Sequence, residues 1–259
     1  VLDQLYGDNN YVTLINTNVL RQGSEYHDAN VTGLMVRHQT NDSEVIFEGD
    51  VRSSQLFYDD SISVGFSTNL NIMRGRGNWR WRLGHEMLTD DYDINDLGFL
   101  TNNNILNHWV GMEYRTFEST DWYNNLYGNF SISNGLLQNP VSFRFLWLES
   151  SGRLTFKNFF TIGGNLEGNI GNFHDYFEAR EPGRMLVRPG RTWLSGWMST
   201  DYRNPFALDV RLGRTWHRGF GSDDYFMRIS PRVRVNNHLS FIYGFENTWN
   251  VNDVGWVNE

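Results

Sequence analysis

Residues 62–72 read Ile62-Ser63-Val64-Gly65-Phe66-Ser67-Thr68-Asn69-Leu70-Asn71-Ile72, and residues 79–87 read Trp79-Arg80-Trp81-Arg82-Leu83-Gly84-His85-Glu86-Met87. A strand points successive side chains to opposite faces. Ile62, Val64, Phe66, Thr68, Leu70 and Ile72 therefore share one face, and Ser63, Gly65, Ser67, Asn69 and Asn71 share the other. The second run repeats the pattern, with Trp79, Trp81, Leu83 and Met87 against Arg80, Arg82, Gly84 and Glu86. Arg74-Gly75-Arg76-Gly77 between them is a hairpin turn. The polar face carries Arg and Glu in mid-strand. The apolar face is long enough to cross a bilayer, which takes about 9–11 tilted residues per strand.

The same period of two recurs outward from this hairpin. It predicts strands near 11–20, 28–38, 43–53, 61–73, 78–88, 105–116, 123–133, 141–149, 153–170, 191–201, 206–217, 224–235 and 238–248. Pro231 lies inside one of them and cannot donate to a ladder, so a bulge or break is expected there. Short connections are read at Gln39–Asp42, Arg74–Gly77, Glu118–Asp121, Glu149–Gly152, Tyr202–Pro205 and Asn236–Asn237. Longer ones are read at Ser54–Asp60, Thr89–Asn104, Asn134–Pro140, Gly171–Arg191 and Arg218–Asp223. Short turns alternating with longer loops are the habit of outer-membrane barrels, and a Greek-key sandwich has no reason to share it. The expected fold is all-β: an up-and-down antiparallel transmembrane β-barrel with at least 12–14 strands present.

Composition narrows the classes. The chain has 259 residues, 10 Trp, 12 Tyr and 18 Phe, yet its mean hydropathy is −0.52, because apolar residues alternate with polar ones. No run approaches the roughly 18 apolar residues of a membrane helix. A net charge of −8 argues against a nucleic-acid surface. With Cys 0 there is no disulfide, thiol nucleophile or thiolate metal site. The chain starts at Val1 with no signal segment, which reads as a mature, processed or trimmed piece.

Asp90-Asp91-Tyr92-Asp93-Ile94-Asn95-Asp96-Leu97-Gly98-Phe99, followed by Asn102-Asn103-Asn104, resembles part of a known family. The family is the C-terminal outer-membrane barrel domain, of unknown function, of many Bacteroidota proteins. Gly111-Met112-Glu113-Tyr114-Arg115, Asn165-Leu166-Glu167-Gly168, Asp201-Tyr202-Arg203-Asn204-Pro205 and Asn252-Asp253-Val254-Gly255-Trp256-Val257 also fit it. The likeness runs from about residue 10 to the end. It implies a Gram-negative outer-membrane location and a barrel that commonly follows a family-9-like carbohydrate-binding domain. That domain is missing here. Completed barrels of this kind usually end in an aromatic residue, and this chain ends at Glu259. With the odd strand count, this reads residues 1–259 as part of a longer barrel lacking its N-terminal binding domain and final strands.

Candidate sites follow from the faces. Glu48, Asp50, Arg52, Arg80, Arg82, Glu86, Glu113, Arg115, Arg144, Glu167, Asp209, Arg211, Arg228, Arg232 and Arg234 fall on the polar face, which lines the lumen of a barrel. Trp79, Trp81, Trp109, Trp147, Trp193, Trp197 and Trp216 are assigned to interfacial girdles. Asp91, Asp93 and Asn95 have the one-three-five spacing of an EF-hand, but Asp96 replaces the turn glycine and Asn102 the twelfth-position Glu. A looser Ca2+ site of loop oxygens is the alternative to a structured acidic loop with Asx turns. Asp59, Asp60, Asp175, Glu178, Glu181, Asp223 and Asp224 add acidity to the longer loops, which favours a solvated face over ions bridging lipopolysaccharide.

Enzyme signatures are lacking: there is no His-x-x-x-His, no Gly-x-Ser-x-Gly elbow and no Cys. The expected protein is a non-enzymatic barrel. It is either a channel or uptake barrel for glycans or other small solutes, or a non-conducting structural or assembly part of a multiprotein outer-membrane complex. Its expected partners are outer-membrane lipid, lipopolysaccharide, glycans and other outer-membrane proteins.

Overall fold

A computed structural model describes residues 1–23, 27–179, 183–219 and 221–252. Seventeen strands follow in order: β1 (Leu2–Tyr6), β2 (Asn10–Val19), β3 (Asp28–Gln39), β4 (Val45–Phe57), β5 (Ile62–Arg74), β6 (Trp79–Leu88), β7 (Ile105–Arg115), β8 (Tyr123–Leu137), β9 (Ser142–Phe156), β10 (Thr161–Asn169), β11 (Phe173–Asp175), β12 (Leu186–Arg188), β13 (Arg191–Ser199), β14 (Phe206–His217), β15 (Asp223–Arg234), β16 (Ser240–Ile242) and β17 (Phe245–Val251). A single 3-10 turn, Asn41–Ser43, is the one helical element among the described residues. No helix among them is long and apolar enough to cross a membrane.

Strands β1 to β10 and then β13 to β16 are sequential neighbours in one sheet, β17 pairs with β15, and β11 and β12 form a separate ribbon. This is the antiparallel meander that the alternation predicts. No ladder among the described residues joins β1 to β16 or β17, so the pairings contain no closed barrel. The chain divides into two compact units. One holds Val1–Gly111, Ser133–Phe145 and His174–Leu186; the other holds Met112–Ile132, Leu146–Phe173 and Val187–Glu259.

Within the first unit the register pairs Val51 with Thr68 and Arg52 with Ser67, and the same parity extends from β2 to β6. The two faces differ in an unusual sense. Phe66 is 47% exposed, whereas its neighbour Ser67 is 7% exposed. Ser54, Leu56, Gly65 and Leu88, all on the polar face, are buried, while Leu14, Leu34, Val51, Val64 and Leu83 on the apolar face are exposed. The second unit repeats the inversion: Leu194 is 49% exposed and Ser195 only 2%. Ala207 and Ser230 are buried on the polar face, and Leu212 and Val233 are exposed on the other.

Several boundaries differ from expectation. Ser150-Ser151-Gly152 is not a turn but the middle of β9, and the reversal falls at residues 157–160. There Phe159 adopts φ 62° and Asn158 Oδ1 accepts a hydrogen bond from the Phe160 backbone N–H at 3.1 Å. Strands β4 and β8 run past the loops expected at Ser54–Asp60 and Asn134–Pro140, so both connections are short. The connections still form two alternating sets. The three longest, residues 20–27, 89–104 and 170–190, all belong to one set. The β5–β6 turn needs Gly77, whose φ is +80°.

Pro231 does break a ladder. The pairings Arg232↔Ile242 and Ile229↔Phe245 share one register, so β16 and β17 are two halves of a single strand along β15. Tyr243 and Gly244 lie in the gap opposite Pro231 and Ser230; the Tyr243 N–H donates to the Pro231 carbonyl at 3.0 Å, and Pro231 has no N–H to return the bond.

Candidate functional site

In the first unit several charges of the polar face meet partners on that face, beside a cavity of about 250 Å3 lined by Glu48, Asp50, Asn69 and Asn71. Arg37 and Glu48 are register partners and form an ion pair. Arg52 Nε lies 2.8 Å from Asp50, and Asn107 donates to Glu86 at 2.9 Å. Arg82 follows by parity, as Met73, its register partner, belongs to the same face. Arg80 reaches the Gly77 carbonyl at 3.4 Å.

The loop at 89–104 lies against this face. Phe66 N–H donates to Thr89 Oγ1 at 2.9 Å, and Asp93 N–H donates to Ser54 Oγ at 3.0 Å. Between these points Tyr92, 2% exposed, packs where a side chain at position 65 would otherwise be. A Cβ on Gly65 would collide with the Tyr92 backbone, so glycine is required for the close approach. Burial raises the Tyr92 phenol above its ordinary pKa, against the lowering effect of the Arg52 charge. Asn103 closes the loop by donating to the carbonyls of Asp90 and Tyr92. Asn139, on the turn after β8, donates to the Asp90 carboxylate at 2.8 Å.

These contacts decide what the acidic loop is. Asp93 Oδ1 accepts from the backbone and side chain of Asn95, an Asx turn, and Asn95 Oδ1 accepts from Leu100 N–H. Asp96 turns away, onto Arg21 at 2.5 Å and His27 at 2.6 Å. Burial alone would raise the Asp96 pKa; the hydrogen bonds from His27 and Arg21 outweigh it and hold the carboxyl below its usual range. Asp91 is exposed. Among the described residues no group of three His, Cys, Asp or Glu side chains converges as a metal site; Asp93 and Asn95 accept hydrogen bonds within the loop and Asp96 pairs with Arg21 and His27. Of the other acidic positions, Asp223 pairs with Arg214 at 2.9 Å, Asp175 accepts from the N–H groups of Phe177 and Glu178, and Glu181 lies outside the described residues. Arg144 places its guanidinium 4.8 Å from the Phe177 ring centre.

The second unit is organised differently. Its register sets one row of neighbours across five strands: Arg153, Gly163, Trp197, Arg211 and Arg228. A cavity of about 650 Å3 opens on this face, lined by Arg153 and Trp197 and by Glu113, Arg115, Tyr127 and Asn165. Glu113 and Arg115, two apart on β7, are ion-paired. Glu167 shares the face by parity with Asn165. Asp209 accepts from Ser199 at 2.6 Å and from Tyr202 at 2.5 Å. Arg211 reaches Ser195 Oγ at 3.2 Å, and Arg228 lies 3.9 Å from Glu246. The Arg232 guanidinium sits 4.7 Å from the Tyr202 ring centre, and Arg234 donates to the Tyr202 carbonyl at 2.9 Å. The Asp201–Pro205 turn is clamped by Arg203, which binds the Asp201 carboxylate and lies 3.4 Å over the Phe159 ring.

The tryptophans divide between the faces. Trp79, Trp81 and Trp216 lie on the apolar side, where a girdle would need them. Trp109, Trp193 and Trp197 do not, because each covers a glycine of the polar face: Gly84, Gly213 and Gly163 respectively. Trp147 is paired with Asn169 and lies on that face too. A glycine beside a tryptophan on the next strand leaves room for the indole to fold over the sheet, and only the register shows which glycine that is.

The described part of the chain therefore presents one polar face with several internal ion pairs and a cavity of about 250 Å3 beside Glu48, Asp50, Asn69 and Asn71, and one with a larger cavity. Each is backed by an exposed apolar surface. No curated protein and no solved structure matches the chain. A family model matches residues 1–259, the whole length, and the chain belongs to that family, described as Domain of unknown function (DUF5916).

Proposed function

We propose that the chain forms the wall of a barrel in the outer membrane of a Gram-negative, Bacteroidota-like bacterium, with its polar face lining a lumen that binds or passes small solutes, glycans among them. The observation that carries this reading is the inversion of the two faces. Exposed Phe66 beside covered Ser67, and exposed Leu194 beside covered Ser195, are the reverse of a water-soluble sheet. Leaving a Leu, Val or Phe side chain in water forfeits about 1.5–3 kcal/mol each, so a continuous face of them needs an apolar phase against it. Lipid is that phase, and Trp79, Trp81 and Trp216 serve as its interfacial anchors. The proposed role is non-enzymatic, with outer-membrane lipid and lipopolysaccharide as the surroundings.

A second reading, a non-conducting structural or assembly component of an outer-membrane complex, has its own support. The 89–104 loop and the Arg37–Glu48 and Asp50–Arg52 pairs occupy polar-face space that a pore would use. Planar-bilayer conductance of the purified full-length protein, with and without oligosaccharides, separates the two. Steady openings blocked by sugar are expected for solute passage. Membrane insertion without conductance would leave the structural role.

A further inference from the structure

We propose that the cavity on the polar face of the second unit binds an acidic oligosaccharide, a sugar ring against Trp197, one carboxylate held by Arg153 on the cavity lining and a second by Arg211, the next residue of the row beyond the indole. This rests on the reading that the polar face meets solutes, and it names their class.

Arg153, Gly163, Trp197 and Arg211 are successive neighbours across β9, β10, β13 and β14. Adjacent strands lie about 4.8 Å apart, so the backbones of Arg153 and Arg211 are separated by roughly 14 Å, with the indole between them. Gly163 contributes no side chain, and the indole of Trp197 occupies the space above it on the side of Arg153. An aromatic wall thus stands between two guanidinium groups on one face of the sheet.

The charges on this row are not spent internally. Arg115, on the cavity rim, is taken by Glu113. Arg153 and Arg211 have no carboxylate within 4.0 Å among the described residues, and Asp209, the nearest acid in sequence to Arg211, accepts instead from Ser199 and Tyr202. This local positive charge sits in a chain whose net charge is −8. Each guanidinium group is matched to a carboxylate, which it binds by short, charge-assisted hydrogen bonds, so an oligosaccharide with a carboxylate on successive sugars can meet both. A bare anion would leave Trp197 and Asn165 without a role. A pyranose ring supplies an apolar face for the indole and hydroxyls for the amide. A volume of about 650 Å3 lies within the range of pockets that hold such ligands.

The test uses the purified full chain in detergent and in liposomes, titrated calorimetrically with digalacturonate, digalactose and acetate. Digalacturonate is expected to bind at least tenfold more tightly than digalactose, and at least tenfold more tightly than acetate. Arg153→Gln and Arg211→Gln should each weaken digalacturonate binding by tenfold or more and leave digalactose little changed. Trp197→Ala should weaken both sugars. Arg214→Gln, on the opposite face and paired with Asp223, should change neither. Equal affinity for the two disaccharides in the wild type, which needs no variant to fold, would overturn the proposal, as would acetate binding as tightly as digalacturonate. Binding in detergent without liposome insertion would sink the membrane reading and keep this one. Insertion without any preference for the acidic sugar would do the reverse.

Discussion

The two units solve the same problem in different ways. Each has an exposed apolar face and a covered polar one, and each places Arg and carboxylates in mid-strand. In the first unit four of those charges form two pairs, Arg37 with Glu48 and Arg52 with Asp50, and a loop settles on the face with Tyr92 over Gly65. In the second, Arg153 and Arg211 flank Trp197 on the row that borders a cavity. Charges that pair with one another leave the smaller cavity beside Glu48 and Asp50 with little to offer an anion. One with cations unmatched by carboxylates beside an aromatic wall is suited to an anion, which guanidinium groups bind by charge-assisted hydrogen bonds.

The largest test of this contrast is Tyr92→Ala. Removing a buried aromatic side chain costs about 3–5 kcal/mol, and here it also unseats the loop. Urea unfolding should shift by that amount, and protease should cut within residues 89–104. Unchanged protection of the loop would mean that Tyr92 does not hold it. The outer face comes next, since both units share it. Leu194→Arg should destabilise the protein in bilayers by about 2–4 kcal/mol, the cost of Arg on a lipid-facing strand near the midplane. On a water-facing surface the same change would fall within about 0.5 kcal/mol.

The smallest effect concerns Asp96, which ties the loop to Arg21 and His27. Asp96→Asn should loosen the loop by about 1–3 kcal/mol. The folded carboxyl has a lowered pKa, so it binds fewer protons than in the unfolded chain above that pKa. Its stabilising contribution is therefore complete above the ordinary carboxylate pKa and fades as pH falls through the lowered one. Protection of the loop against hydrogen exchange, relative to the intrinsic rate at each pH, should fall on acidification in the wild type and lose that component in the variant. A pH response identical in both would remove Asp96 as its source.

The faces were legible because alternation is a local property. Every charged residue assigned to the lumen on β4 to β6, β10, β14 and β15 takes the polar side by register or parity, and Glu113 and Arg115 of β7 line the cavity on that side. The break at Pro231 was legible for the same reason, since a missing N–H is written in the residue itself. What was hidden depends on pairs far apart in the chain. Nothing near Gly65 announces Tyr92, and nothing near Gly163 announces Trp197. The turn at 157–160 shows how such information is lost. Ser150-Ser151-Gly152 has the composition of a turn, whereas Lys157-Asn158-Phe159-Phe160 has neither Gly nor Pro. Placing the reversal at the first of these removes Arg153 from its place opposite Gly163, and with it the row that borders the cavity. The tryptophans divide unexpectedly on the same account: strand position alone cannot say that Trp109 or Trp193 has a glycine beside it to cover.

At the centre stands the proposal that the exposed apolar face meets lipid and the covered polar face does not. The chain has no cysteine, so single cysteines report one position each. Spin labels at Phe66→Cys and Ser67→Cys, and at Leu194→Cys and Asn165→Cys, would be compared in liposomes for collision with oxygen, which partitions into lipid, and with a water-soluble nickel chelate. Labels at 66 and 194 are expected to collide with oxygen and to be shielded from the chelate, and labels at 67 and 165 to lack this lipid signature. Labels at 66 and 194 that meet the chelate freely would contradict it.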